Sequence, residues 1–128
     1  MAARYTMKII TDFAAAHLLR GYAGECSRLH GHNWKVEVEI TTRALDNVGM
    51  GVDFKVIKKI TKDYLDQWDH RHLNEIPPFD EVNPTAENIS ANIYQGLGQQ
   101  LNSDNVQVSA VTLWETERAC VTYREEQD

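Results

Sequence analysis

The stretch Cys26-Ser27-Arg28-Leu29-His30-Gly31-His32-Asn33-Trp34-Lys35-Val36-Glu37-Val38-Glu39-Ile40 decides how this chain is read. Residues 33–42 alternate, with Val36, Val38 and Ile40 on one side and Lys35, Glu37 and Glu39 on the other. Period-two alternation marks a strand with one buried face. His30 and His32 share the parity of the apolar side, so both imidazoles are expected to point inward, provided Gly31 does not kink the strand. A third histidine, His17, closes an extended-looking segment, residues 4–16, that carries Tyr5, Met7, Ile9, Ile10 and Phe13. Three neutral imidazoles converging from neighbouring strands suit zinc, which in catalytic sites keeps a fourth position open. The competing reading is a polar surface patch.

Working outward, Asp46-Asn47-Val48-Gly49-Met50-Gly51 predicts a loop from its turn residues. Asp53 can cap a helix carrying Phe54, Ile57, Tyr64, Leu65 and Trp68 at helical spacing, with Pro77-Pro78 ending that segment. Asn83-Pro84-Thr85 opens a second helix, in which Ile89, Ile93, Leu97 and Leu101 recur four apart. After a turn over 102–105, Val106, Val108 and Ala110 begin a third strand carried to Trp114-Glu115. Thr116-Glu117-Arg118 then turns into a last strand, Ala119 to Arg124. Two strands, two helices and two strands predict an α+β fold, a four-stranded antiparallel sheet with helices on one face. Four strands leave two edges, and edge-to-edge association is one way to cover them.

With 128 residues, the chain fits one domain, 1–128, large enough to bury a core. Its formal charge of −6 argues against a general nucleic-acid binder, which normally carries a basic stripe. The longest apolar runs are too short to cross a bilayer, and the opening residues lack the apolar core of a secretion signal. The expected setting is therefore cytoplasmic, with the two cysteines, Cys26 and Cys120, as free thiols.

Several further residues carry chemistry, each with a plainer alternative. Cys26 alone reads as a small buried hydrophobe. Beside a cation and a histidine, its thiol can lose a proton and act as base or nucleophile. It can equally serve as a fourth ligand that closes the metal site. Asp69-His70 is a carboxylate–imidazole pair, but neighbours in sequence need not touch through their side chains, and an exposed helix end is the favoured reading. His72 reads as structural or solvated. Glu115 shares a face with Val111 and Leu113, where a carboxylate needs a basic group or a ligand. Paired donors on an amino-pyrimidinone ring match its two acceptor oxygens. Thr85 and Glu87 fit ordinary capping and dipole roles at a helix start.

Taken together, the chain resembles the family of 6-pyruvoyl-tetrahydropterin and 6-carboxytetrahydropterin synthases, and it looks most like the 6-carboxy branch. The resemblance rests on Phe13-Ala14-Ala15-Ala16-His17, Cys26-Ser27-Arg28-Leu29-His30-Gly31-His32, Val52-Asp53-Phe54, Asp69-His70-Arg71-His72-Leu73-Asn74, Pro84-Thr85-Ala86-Glu87-Asn88 and Trp114-Glu115-Thr116. Trp68 stands where the family usually has leucine. The three residues between Cys26 and His30 match the carboxy-forming branch, since the pyruvoyl-forming branch tends to a longer gap.

The resemblance implies the tunnelling fold, with two helices between strands 2 and 3. It also implies homo-oligomers in which sheets join into a barrel, commonly a hexamer of two trimers with active sites at subunit interfaces. It assigns zinc to His17, His30 and His32, the catalytic base to Cys26, and a supporting relay to Asp69 and His70. Glu115 becomes the pterin anchor, with Thr85 and Glu87 as secondary pterin contacts. The implied activity is a zinc-dependent lyase acting on 7,8-dihydroneopterin triphosphate in queuosine precursor synthesis. 6-Pyruvoyl-tetrahydropterin synthesis and non-catalytic zinc or pterin binding are the alternatives.

Overall fold

A computed structural model describes residues 3–126. Strand β1, Tyr5–His17, pairs antiparallel with β2, His30–Thr42, along its whole length. Helix α1, Phe54–Leu65, a two-residue strand β3, Arg71–His72, and helix α2, Ala86–Leu101, follow. The chain ends in the hairpin of β4, Val106–Thr116, and β5, Ala119–Tyr123. The sheet order is β3-β1-β2-β4-β5. The α+β class and the two inserted helices match expectation, but the sheet has five strands, not four. The extra strand runs parallel to β1 at Ala15 and Ala16, over only two residues, too short for periodicity to reveal. It covers the His17 end of the β1 edge.

One face of the sheet makes the core. Ile9 and Phe13 of β1, Trp34, Val36, Val38 and Ile40 of β2, and Val111 and Leu113 of β4 are all buried. They pack against Ile57 and Leu65 of α1 and Ile89, Ile93 and Leu97 of α2. Each helix begins where the sequence marks it. The Asp53 side chain accepts from the Lys55 amide at 2.8 Å, and Thr85 Oγ1 accepts from the Asn88 amide at 3.0 Å. Phe54, expected on the apolar stripe, faces solvent at the first turn, while Trp68 is buried beyond the end of α1, against Phe13, Tyr64 and Phe79. Gly96 lets α1 cross α2 closely, because any Cβ there would overlap the Tyr64 ring.

Strand β4 carries one residue more than its partner. Ile40 faces Val108 and Glu39 faces Ala110, leaving Ser109 unpaired. Its hydroxyl accepts from Thr41 Oγ1 at 2.9 Å and donates to the Glu39 carbonyl at 3.1 Å, which fixes the bulge. The inward parity therefore changes from Val108 to Val111, Leu113 and Glu115.

Candidate metal centre

The β1–β2 register builds the site. His17 pairs directly with His30, and His32 lies opposite Ala15, so all three imidazoles stand on the core face at one end of the sheet. Their ring centroids are 4.6 to 5.2 Å apart. Trp34, the next inward residue, closes the floor with its ring edge-on to His17 and His32.

Backbone carbonyls aim the rings. Nδ1 of His17 donates to the Pro84 carbonyl at 2.7 Å, and Nδ1 of His30 donates to the Arg28 carbonyl at 2.7 Å. A proton held on Nδ1 leaves Nε2 with a free lone pair, the arrangement typical of metal-binding histidine. Burial holds both His17 and His32 below the ordinary value of 6.5, outweighing the opposing pull of the Glu115 carboxylate. Both rings are therefore neutral at neutral pH and able to coordinate.

The donor set has four members. One donor atom each from His17, His30, His32 and Glu115 lie within 4.8 Å of one another, and this is the sole such group of three or more among the described residues. Glu115 Oε1 sits 3.0 Å from His32 Nε2 and 3.5 Å from His17 Nε2. Donors on adjacent corners of a tetrahedral zinc site with bonds near 2.0–2.1 Å lie about 3.3 Å apart, so these spacings fit such an ion. Nε2 of both His17 and His32 is buried without a hydrogen-bond partner, an unmet need that a cation satisfies.

Sequence reasoning missed the scaffold behind His17. Asn74 Oδ1 accepts from the Leu18 amide at 2.9 Å while its Nδ2 donates to the Leu18 carbonyl at 3.0 Å. Asn83 clips Arg20 in the same two-way manner, at 2.9 and 2.8 Å. These clamps hold the chain leaving β1 against the segment that supplies the Pro84 carbonyl. Two asparagines beside turns were the only signal available beforehand.

Cys26 stands outside the donor group, in a short 3₁₀ turn, Glu25–Ser27, where it is half-buried. Its carbonyl accepts from the Leu19 amide at 2.8 Å, folding this turn back onto the end of β1. The fourth donor is thus a carboxylate, and the thiol is free, as is Cys120.

Asp69 and His70 do touch. Asp69 Oδ2 lies 3.1 Å from His70 Nδ1, and Asp69 Oδ1 accepts from the Ala14 amide at 2.9 Å. The Ala14 amide, with help from His70, holds the Asp69 carboxyl below the usual carboxylate range. His70 adopts a left-handed backbone, φ 60°, donates its amide to the Ala14 carbonyl and leaves its ring largely exposed. It borders a cleft of about 440 Å³ with Asp12, Ala14 and Asn33, whose parity is opposite to that of the histidine trio. One chain therefore brings the three histidines and Glu115 together, and holds Asp69 and His70 at the sheet edge, towards the other face. Thr85 caps α2 beside Pro84, and Glu87 is exposed in its first turn.

Fold and donor set together define an α+β protein with a three-histidine, one-carboxylate centre at one end of its sheet. The 6-pyruvoyl tetrahydropterin synthase family profile matches residues 6–126, and the chain belongs to that family. It is 40% identical over 102 residues, 79% of this chain and 84% of the relative, to a protein of Archaeoglobus fulgidus named putative 6-carboxy-5,6,7,8-tetrahydropterin synthase. It is 33% identical over 105 residues, 80% of this chain and 76% of the relative, to the 6-pyruvoyl tetrahydrobiopterin synthase of Dictyostelium discoideum. Among solved structures, the 6-pyruvoyl tetrahydropterin synthase of Caenorhabditis elegans superposes with a TM-score of 0.85 at 26% identity, covering 98% of each chain. Among the described residues, no helix is long and apolar enough to cross a membrane.

Proposed function

We propose that this protein is a zinc-dependent carbon–carbon lyase that converts 7,8-dihydroneopterin triphosphate and one water to 6-carboxy-5,6,7,8-tetrahydropterin, releasing acetaldehyde and triphosphate. The observation that carries the reading is the convergence of three imidazoles with the Cys26 thiol left out of the donor group. His17, His30 and His32 hold the ion. Zinc in such a site supplies Lewis acidity that makes substrate hydroxyls easier to deprotonate. Cys26 takes and returns protons at the substrate side chain. His70, oriented by Asp69, relays them. Glu115 accepts from the paired donors of the pterin ring and orients it, with Thr85 and Glu87 as secondary contacts.

Because Asp69 and His70 lie towards the other face from the histidine trio, the relay is proposed to serve a Cys26 on a neighbouring subunit. The working unit is a hexamer of two trimers whose sheets join edge to edge. The proposed setting is the cytoplasm, and the proposed use of the product is queuosine precursor synthesis. The three-residue gap between Cys26 and His30 and the likeness to the Archaeoglobus protein support the 6-carboxy product. The likeness to the Dictyostelium protein keeps the 6-pyruvoyl product as the second reading.

Incubating the zinc-loaded protein with 7,8-dihydroneopterin triphosphate decides between them. Acetaldehyde release in step with triphosphate is expected, whereas triphosphate without acetaldehyde would favour the pyruvoyl product. Cys26→Ala should keep zinc and pterin binding while turnover falls by about 10²–10⁴-fold. Retained turnover would remove Cys26 from its role.

A further inference from the structure

The position that a catalytic zinc site keeps open is here faced by an acid. Glu115 Oε1 stands 3.0 Å from His32 Nε2 and 3.5 Å from His17 Nε2, two buried nitrogens whose need for a partner is otherwise unmet. With one donor atom each from His17, His30, His32 and Glu115 within 4.8 Å of one another, the carboxylate is placed to share an ion with the imidazoles. The Ser109 bulge turns Glu115 to the histidine face, and a second register shift, between Trp114 and Thr116, breaks the regular ladder at this residue. The side chain is 32% exposed, unlike the buried ring of His17, so it has room to change direction.

We infer that Glu115 is a displaceable fourth ligand: it closes the donor set around the metal in the resting protein and leaves when an amino-pyrimidinone ring engages its carboxylate. This rests on the zinc and pterin reading above and adds an order of events to it. Two-point recognition of a ring's paired donors uses both carboxylate oxygens, so Glu115 serves the metal or the ring, not both at full strength. The metal's fourth position then opens only after the ring has docked, and the two binding events oppose one another. By linkage the opposition is equal in both directions.

The test is a binding measurement at pH 8 with 6-methyl-7,8-dihydropterin, which has the ring without the hydroxylated side chain. We expect it to bind the metal-free protein about tenfold more tightly than the zinc-loaded protein, and saturating pterin to weaken zinc binding by the same factor. Glu115→Gln should bind zinc at least about tenfold more weakly than the native chain. Zinc that leaves pterin affinity unchanged or tightens it overturns the inference, as does a Glu115→Gln variant with native zinc affinity. A native protein that takes up no zinc would overturn the proposed function as well, whereas zinc held equally well without the Glu115 carboxylate overturns this inference alone.

Discussion

The histidine trio and the Asp69–His70 pair are two ways of holding imidazoles, and they differ in what fixes them. The trio is set by strand pairing. Once β1 and β2 are in register, His17 must face His30, and the buried Trp34 and Phe13 lock that register, since a one-residue slip would turn every core residue outward. The pair depends instead on a left-handed residue and two hydrogen bonds to Ala14 at the sheet edge, with the ring in solvent. One arrangement is part of the core and the other is mounted on its rim. Metal affinity and proton transfer should therefore fail independently.

Removing a trio member should have the largest effect. A structural zinc site contributes about 10–16 kcal/mol over four ligands, so His17→Ala should weaken zinc binding by on the order of 100-fold or more, read by metal competition with a chelator. His70→Ala should lower turnover by about 100-fold while zinc stoichiometry stays native. Loss of zinc from that variant would mean that the two regions are coupled after all. Between these regions lies the Asn74 clamp. Asn74→Ala should destabilise the fold by about 1–3 kcal/mol in urea denaturation, with a weaker effect on zinc than any ligand change. An unchanged urea midpoint would show that the Leu18 contacts add nothing.

The smallest effect is on pH. Burial depresses His17 and His32, so the fold keeps them neutral while an unfolded chain takes up protons near 6.5. Stability of the metal-free protein should be fully present above 6.5 and fall as pH drops through it, levelling off once the depressed folded values are passed. Melting temperatures of metal-free protein between pH 8 and 5 measure this. A flat profile would mean that the rings take up protons alike in the fold and in the unfolded chain.

The trio was legible because period-two alternation and strand parity are local properties of the sequence. The helices were legible from Asp53 and Thr85, whose side chains cap them as expected. Contact between Asp69 and His70 was not, since it requires a left-handed φ and the distant Ala14 backbone. Strand β3 was too short to leave a pattern. The place of Glu115 among the ligands was only half legible: Val106, Val108 and Ala110 suggest one inward parity, and Val111, Leu113 and Glu115 the other. Only the bulge reconciles them.

That bulge acts on β4 as a frameshift acts on a message. Every residue downstream of Ser109 is read by the opposite side of the sheet, and Glu115 exchanges places with Trp114. The same residues paired without the bulge would keep Val108 inward, but would set an indole before the imidazoles and send the acid to the far side. One residue set aside from the ladder, held there by its own hydroxyl, thus selects which chemistry the corner can perform.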